Sequence, residues 1–153
     1  MAEMRALVDH LGILLNQLSD KEKRKLSMEI GRKLRKSQSA RITKQQNPDG
    51  SPYQPRKNQK IRDKKGHIKN KMFTRIKMAR YMKVKQEPQG TSVGFLGNIA
   101  FIAKVHQFGL RDRVRRRKNS PVVKYPSREL LGFTPDEIEM VENDVLTHFT
   151  GKL

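Results

Sequence analysis

Residues 102–137 open with IAKVHQFG (Ile102–Gly109) and close with YPSRELLGFTPDE (Tyr125–Glu137). The first piece reads as the end of a helix. Ile99, Ile102, Ala103 and His106 recur at three- and four-residue steps, and Gly109 suits the left-handed position just past a helix terminus. In the second piece Val122–Tyr125 is a strand candidate. Thr134, Pro135 and Glu137 then supply an N-cap, a proline at the first helical position and a glutamate able to reach back to the cap. Ile138, Val141, Val145 and Phe149 continue as the buried stripe of a C-terminal helix. Between the pieces lies an arginine-dense insert, Arg111–Lys118, which reads as a flexible basic loop.

Upstream, Met4, Leu7, Val8, Leu11, Leu14, Leu15 and Leu18 have helical spacing. Ser19 and Glu22 form a second capping-box pattern, so another helix should begin near Asp20, carry Leu26, Ile30 and Leu34 as a narrow apolar stripe, and run toward Ile42. The two helices can pack as an N-terminal hairpin, or one stripe could bind another subunit. Asn47-Pro48-Asp49-Gly50 fits a type I turn. SPYQP (Ser51–Pro55) must be extended, because residues before proline avoid the helical region. Residues 56–71 are almost wholly polar and basic and read as a mobile arm. Met72, Phe73, Ile76 and Ala79 suggest a short helix. Tyr81–Gln86 and Thr91–Leu96 alternate around Glu87-Pro88-Gln89-Gly90 and read as a β-hairpin. The expected class is α+β: an N-terminal helical hairpin, a small, mostly antiparallel sheet with an intervening helix, and a capped C-terminal helix, in one domain spanning 1–153.

Composition narrows the function. At 153 residues with 35% hydrophobic and 32% charged side chains, the core must be small for the length. There is no cysteine, which excludes disulfides and thiolate-held metals. The first twenty residues carry Glu3 and Asp9 and lack a basic start, unlike a signal peptide, and no run approaches a membrane span. The chain is expected to be soluble and intracellular when made, with no membrane contact. The formal net charge of +19 is uneven: residues 41–85 hold fifteen basic and two acidic side chains, whereas 129–153 hold six acidic and one basic. A basic stretch of one copy could meet the acidic end of the next, or the basic tracts could meet nucleic acid.

No catalytic pattern emerges. His10, His67, His106 and His148 fall in separate elements, and no glycine pattern makes a phosphate loop. His106, on a partly apolar helix, reads as a hydrogen-bonded structural residue. The acidic residues near Asp136 suit a helix start. The basic tracts lack interleaved aromatic residues for base stacking. No cofactor and no metal is expected.

LSDKEKRKLSMEIGRKLRKSQ, NPDGSPYQPRK, KMFTRIKMARYMKV, IAKVHQFG and YPSRELLGFTPDEIEMVENDVLTHF, in that order and spacing, resemble the phage virion morphogenesis family, in its tail-completion group from Peduovirus-type contractile-tailed phages. The resemblance implies a structural protein, not an enzyme. Such a protein finishes the head-proximal end of a tail, resides in the virion tail or neck, and works as a ring of copies, expected sixfold to match a tail tube. The implied partners are other copies of itself, tail tube and sheath proteins and head-connector proteins. The family offers no catalytic residue to carry over. The expected fold and assembly contacts are Ile102, Ala103, His106, Gln107, Gly109, Pro126, Arg128, Leu131 and Phe133. Arg111, Arg113, Arg115, Arg116, Arg117 and Lys118 are the expected contacts to phosphate or to an acidic partner. The arm and the basic loop are expected to order only on assembly. The competing reading is a nucleic-acid-binding accessory protein.

Overall fold

The computed structural model describes residues 5, 6, 9, 12, 16–57 and 71–151. Most of the first helix expected over Met4–Leu18, its pairing into a hairpin, and most of the arm at 56–71 lie outside the described residues. The elements run α1 (Asp20–Thr43), β1 (Met82–Glu87), β2 (Gly90–Phe95), α2 (Gly97–Phe108), β3 (Arg111–Arg113), β4 (Val122–Lys124) and α3 (Pro135–Thr150). The class is α+β. The strands form two separate two-stranded sheets, β1 with β2 and β3 with β4, rather than one sheet.

The chain divides into two compact units. The first comprises Met1–Ser37, Lys83–Gly94 and Phe133–Leu153. Within it α1 starts at the predicted box: the Glu22 N–H donates to Ser19 Oγ at 3.3 Å, and the Ser19 N–H donates to Glu22 Oε2 at 3.1 Å. Leu18, Leu26 and Val145 form a buried cluster, with Ile30 and Phe149 packed against it. The stripes read from α1 and α3 therefore face each other. Polar contacts set their register: Lys33 Nζ lies 2.6 Å from Asp144 Oδ1, and Ser37 Oγ donates to Glu137 Oε1. The α3 capping box is complete, with the Glu137 N–H donating to Thr134 Oγ1 and the Thr134 N–H donating to Glu137 Oε2. Gly31 is where the β1–β2 hairpin crosses α1. A Cβ there would lie 2.7 Å from Thr91 Cγ2 and 2.8 Å from Val84 Cγ1, so only glycine permits that approach.

The second unit comprises Gln38–Met82 and Phe95–Gly132. Ile42, Met82 and Leu130 are fully buried in it. The NPDG turn closes as predicted, with the Gly50 N–H donating to the Asn47 carbonyl at 2.9 Å. Two expectations change here. The segment from Met72 to Ala79 is a run of turns, not a helix. Phe73 takes a left-handed φ of 63°, and the Gln45 side-chain amide engages both backbone groups of Met72, at 2.8 and 2.9 Å. Side-chain clamping of that backbone replaces the helical ladder. The insert is also more ordered at its start than a loop. Arg111–Arg113 forms β3, antiparallel to β4 with Asp112 opposite Val123. Its tip is tied by the Val114 N–H to the Pro121 carbonyl and by the Arg115 N–H to Ser120 Oγ.

Candidate functional site

The last turn of α2 shows why the second unit holds together. Gly109 adopts φ 61° and ψ 48°, and its N–H returns to the Val105 carbonyl. That closes the helix but leaves terminal carbonyls in want of donors. The chain comes back to supply them. The Tyr125 N–H donates to the Leu110 carbonyl at 3.0 Å, Ser127 Oγ to the Gln107 carbonyl at 3.0 Å, and the Arg128 N–H to the His106 carbonyl at 2.7 Å. Residues 125–132 have no regular secondary structure yet run as a strap across the end of α2.

Side-chain amides hold the rest of the strap. Gln107 Oε1 accepts the N–H groups of Leu130 and Leu131 at 2.8 and 2.9 Å, and Gln107 Nε2 donates to the Leu131 carbonyl at 2.8 Å. Asn47 Oδ1 accepts the Glu129 N–H at 2.9 Å, and Tyr53 Oη donates to the Glu129 carbonyl at 3.0 Å. Gln38 brackets Gly132, donating to its carbonyl at 2.7 Å and accepting its N–H at 3.2 Å. Arg41 donates to the Leu130 carbonyl and to Gln38. Buried backbone outside a ladder needs such partners, and here Gln38, Arg41, Asn47, Tyr53 and Gln107 supply them.

Arg128 is the charged centre of this arrangement and is only 3% exposed. Its Nε donates to the Gln54 carbonyl at 2.8 Å and its Nη2 to the Pro55 carbonyl at 3.2 Å. Nη1 lies 3.3 Å from His106 Nδ1. Arginine carries donors alone, so Nδ1 must accept and the imidazole proton sits on Nε2. The ring is in edge contact with Phe73 and Tyr125, and Phe73 in turn with Tyr53. Burial, and secondarily the Arg128 charge, push the His106 pKa down to about 4, so the ring is neutral near pH 7. Burial also lowers the Arg128 pKa. It raises that of Tyr53 to about 12, which keeps the phenol a donor.

The structure thus brings together Ala103, His106, Gln107, Gly109, Arg128 and Leu131 of the expected contacts. Pro126 lies in the strap, half-buried. Ile102 does not join the buried face of α2, being 37% exposed; Val105, which the sequence reading passed over, is buried in its place. Phe133 is exposed and belongs to the first unit. Arg111, Arg113, Arg115, Arg116, Arg117 and Lys118 are exposed on the β3–β4 hairpin and its tip. That hairpin and α2 border a half-open cavity of about 340 Å³, whose lining includes Phe101, Ile102, Val114, Arg113, Arg115 and Arg116. Tyr53, Phe73, Gln38, Gln45 and Asn47 were missed. Only the proline-flanked SPYQP hinted that Tyr53 had a fixed place.

The side-chain polar atoms of Gln38, Asn47, Tyr53 and Gln107 that meet the strap are directed at its backbone. Among the described residues no group of His, Asp and Glu side chains could hold a metal ion, and no helix is long and apolar enough to cross a membrane. The profile of the phage virion morphogenesis family matches residues 2–150. The chain belongs to the phage virion morphogenesis family. Within that group it is similar to the tail completion protein S of Escherichia phage P2, with 40% identity over 149 residues that cover 97% of this chain and 98% of that protein. No solved structure matches it. The family match contains the strap and all of its holders, from Gln38 to Gly132.

Proposed function

We propose that this protein is a structural, non-catalytic component of phage tail assembly. It completes the head-proximal end of the tail and makes that end competent to join a head. It does so as a ring of identical copies, sixfold to match a tail tube, touching tail tube and sheath proteins on one side and head-connector proteins on the other. It is made in the host cytoplasm and stays in the virion tail or neck. The observation that carries this reading is the near end-to-end correspondence with a protein named for tail completion. The site agrees in kind: Gln107 and Arg128 spend polar groups on holding backbone, and His106 accepts from Arg128, which suits a part that must present a fixed surface to neighbours.

The test is complementation. Lysates of a phage lacking this chain should hold full heads and finished-length tails that do not join. Adding the purified protein should restore joined particles. Unchanged joining without it would remove the proposal.

The exposed arginines of the β3–β4 hairpin support a second reading, an accessory protein that binds nucleic acid through phosphates. Tight duplex binding with a steep salt dependence, together with no association with tails, would favour it.

A further inference from the structure

We infer that the cavity between α2 and the β3–β4 hairpin is a docking groove for a second copy of this chain, and that its occupant is the exposed acidic stripe of α3. The inference rests on the tail-completion reading above only for its setting, since it concerns how copies join.

The lining of the groove combines exposed apolar side chains with charged ones. Phe101 is 57% exposed, Ile102 37% and Val114 40%, so three large apolar side chains are open to solvent side by side in one lining. A cluster of that kind marks a surface meant to be covered. The rim is cationic: Arg113, Arg115 and Arg116 stand against the single carboxylate of Asp112, and His106, which reaches the floor, is neutral. Arg113 is fixed in place, its Nη1 donating to the Lys118 carbonyl at 2.7 Å. Arg115 and Arg116 have no ion-pair partner among the described residues. The Asp112 carboxylate accepts the Arg113 N–H at 2.7 Å and does not neutralise the rim. At about 340 Å³ the cavity suits side-chain anchors from a protein element rather than a large cofactor.

The chain carries a matching surface. On α3, Asp136, Glu139, Asn143 and Leu146 are all exposed, at steps of three and four residues, and so lie along one face. Phe133, just ahead of the helix, is 48% exposed, and Leu146 is 40% exposed. The stripe therefore has apolar residues at its ends and carboxylates between them. Lys33, paired with Asp144, lies on another face of the helix. Of the remaining acidic groups of α3, Glu137 completes the cap and Glu142 is half-buried. Acidic stripe and arginine rim are complementary in sign, and each has an apolar element for the other. Because the two surfaces differ, the contact is head-to-tail, which builds a closed ring when the rotation between copies closes. Rim charges choose the partner and the approach, and the apolar centre holds it.

The experiment is a charge exchange in the full-length protein, read by sedimentation velocity and native mass spectrometry. Arg115→Glu with Arg116→Glu should weaken self-association at least tenfold, as should Asp136→Lys with Glu139→Lys. Mixing the two variants should restore assemblies in which they alternate. The restoration step keeps the test decisive even where one variant is less stable, since a misfolded chain would not be rescued by its complement. Self-association unchanged in either variant, or no recovery in the mixture, overturns the inference. So does loss of duplex DNA binding in the arginine variant with self-association intact, which would give the groove to nucleic acid. Complementation of tail joining by the wild-type protein is scored separately, so failure of the groove and failure of the tail-completion role are told apart.

Discussion

Arg128 meets His106 twice: its backbone N–H donates to the His106 carbonyl at 2.7 Å, and its Nη1 lies 3.3 Å from the His106 Nδ1. One residue thus ties the strap to α2 through main chain and side chain together. The guanidinium is buried, and among the described residues it is held by two carbonyls and a neutral ring, not by a carboxylate.

That geometry needs the planar fork of arginine. Arg128→Lys keeps the charge but cannot reach the Gln54 carbonyl, the Pro55 carbonyl and His106 at once. We expect it to destabilise the protein by about 2–4 kcal/mol, much as Arg128→Ala does. Urea unfolding measures this, and a lysine variant within about 0.5 kcal/mol of wild type would contradict the role given to the fork.

His106 sets a pH dependence with a definite sign. Its folded pKa of about 4 lies below the 6.5 of an unperturbed histidine. Between those values the unfolded chain binds the extra proton and the folded chain does not. The contribution is therefore complete above about pH 6.5 and is lost as pH falls through about 4, amounting to roughly 3 kcal/mol. His106→Gln removes the titration while leaving an oxygen to accept from Arg128. Its stability should change less between pH 6.5 and 5, a range in which most carboxylates stay ionised. Parallel pH profiles for the two proteins would count against the buried neutral ring. His106→Ala, which also vacates the space between Phe73 and Tyr125, should impair folding or assembly outright.

Gln107→Leu should orphan the N–H groups of Leu130 and Leu131 and cost about 1–3 kcal/mol. Amide exchange resolves the effect, with protection lost first at those two residues. Uniform change across the protein would mean that Gln107 acts through general packing instead.

Gly109→Ala tests the turn itself. An alanine there must hold φ near 61°, and its Cβ would lie 3.1 Å from the Ser127 nitrogen and 3.2 Å from the Tyr125 carbonyl oxygen. The left-handed conformation alone costs about 1 kcal/mol, and the crowding should push the strap off α2 and add to it. A thermal midpoint equal to wild type would contradict this.

The sequence showed most clearly what local chemistry dictates. Both capping boxes, the starts of α1 and α3 and the glycine stop of α2 rest on residues within a few positions of each other, and the structure has them where the spacing put them. His106, Gln107, Arg128 and Leu131 could be named as a group, but their relation could not. Gln38, Gln45, Asn47 and Tyr53 reach their partners across 27 to 94 residues of chain, and a lone amide in a polar sequence carries no mark of that. The same limit explains the turns at 72–79: helical spacing was present, but a distant side chain, Gln45, held Met72 out of a helix. It explains β3 as well, because a strand of alternating Arg and Asp is recognisable only beside the Val-Val-Lys strand that pairs with it.

The central claim is that this protein completes tails as a ring, and electron microscopy of tails is its most direct measurement. Tails from a phage lacking the chain, incubated with the purified protein, should show a ring of sixfold symmetry at the head-proximal end alone, and those tails should then join heads. Bare tail ends with the protein bound instead to free DNA, or tails that join heads without it, would contradict the account.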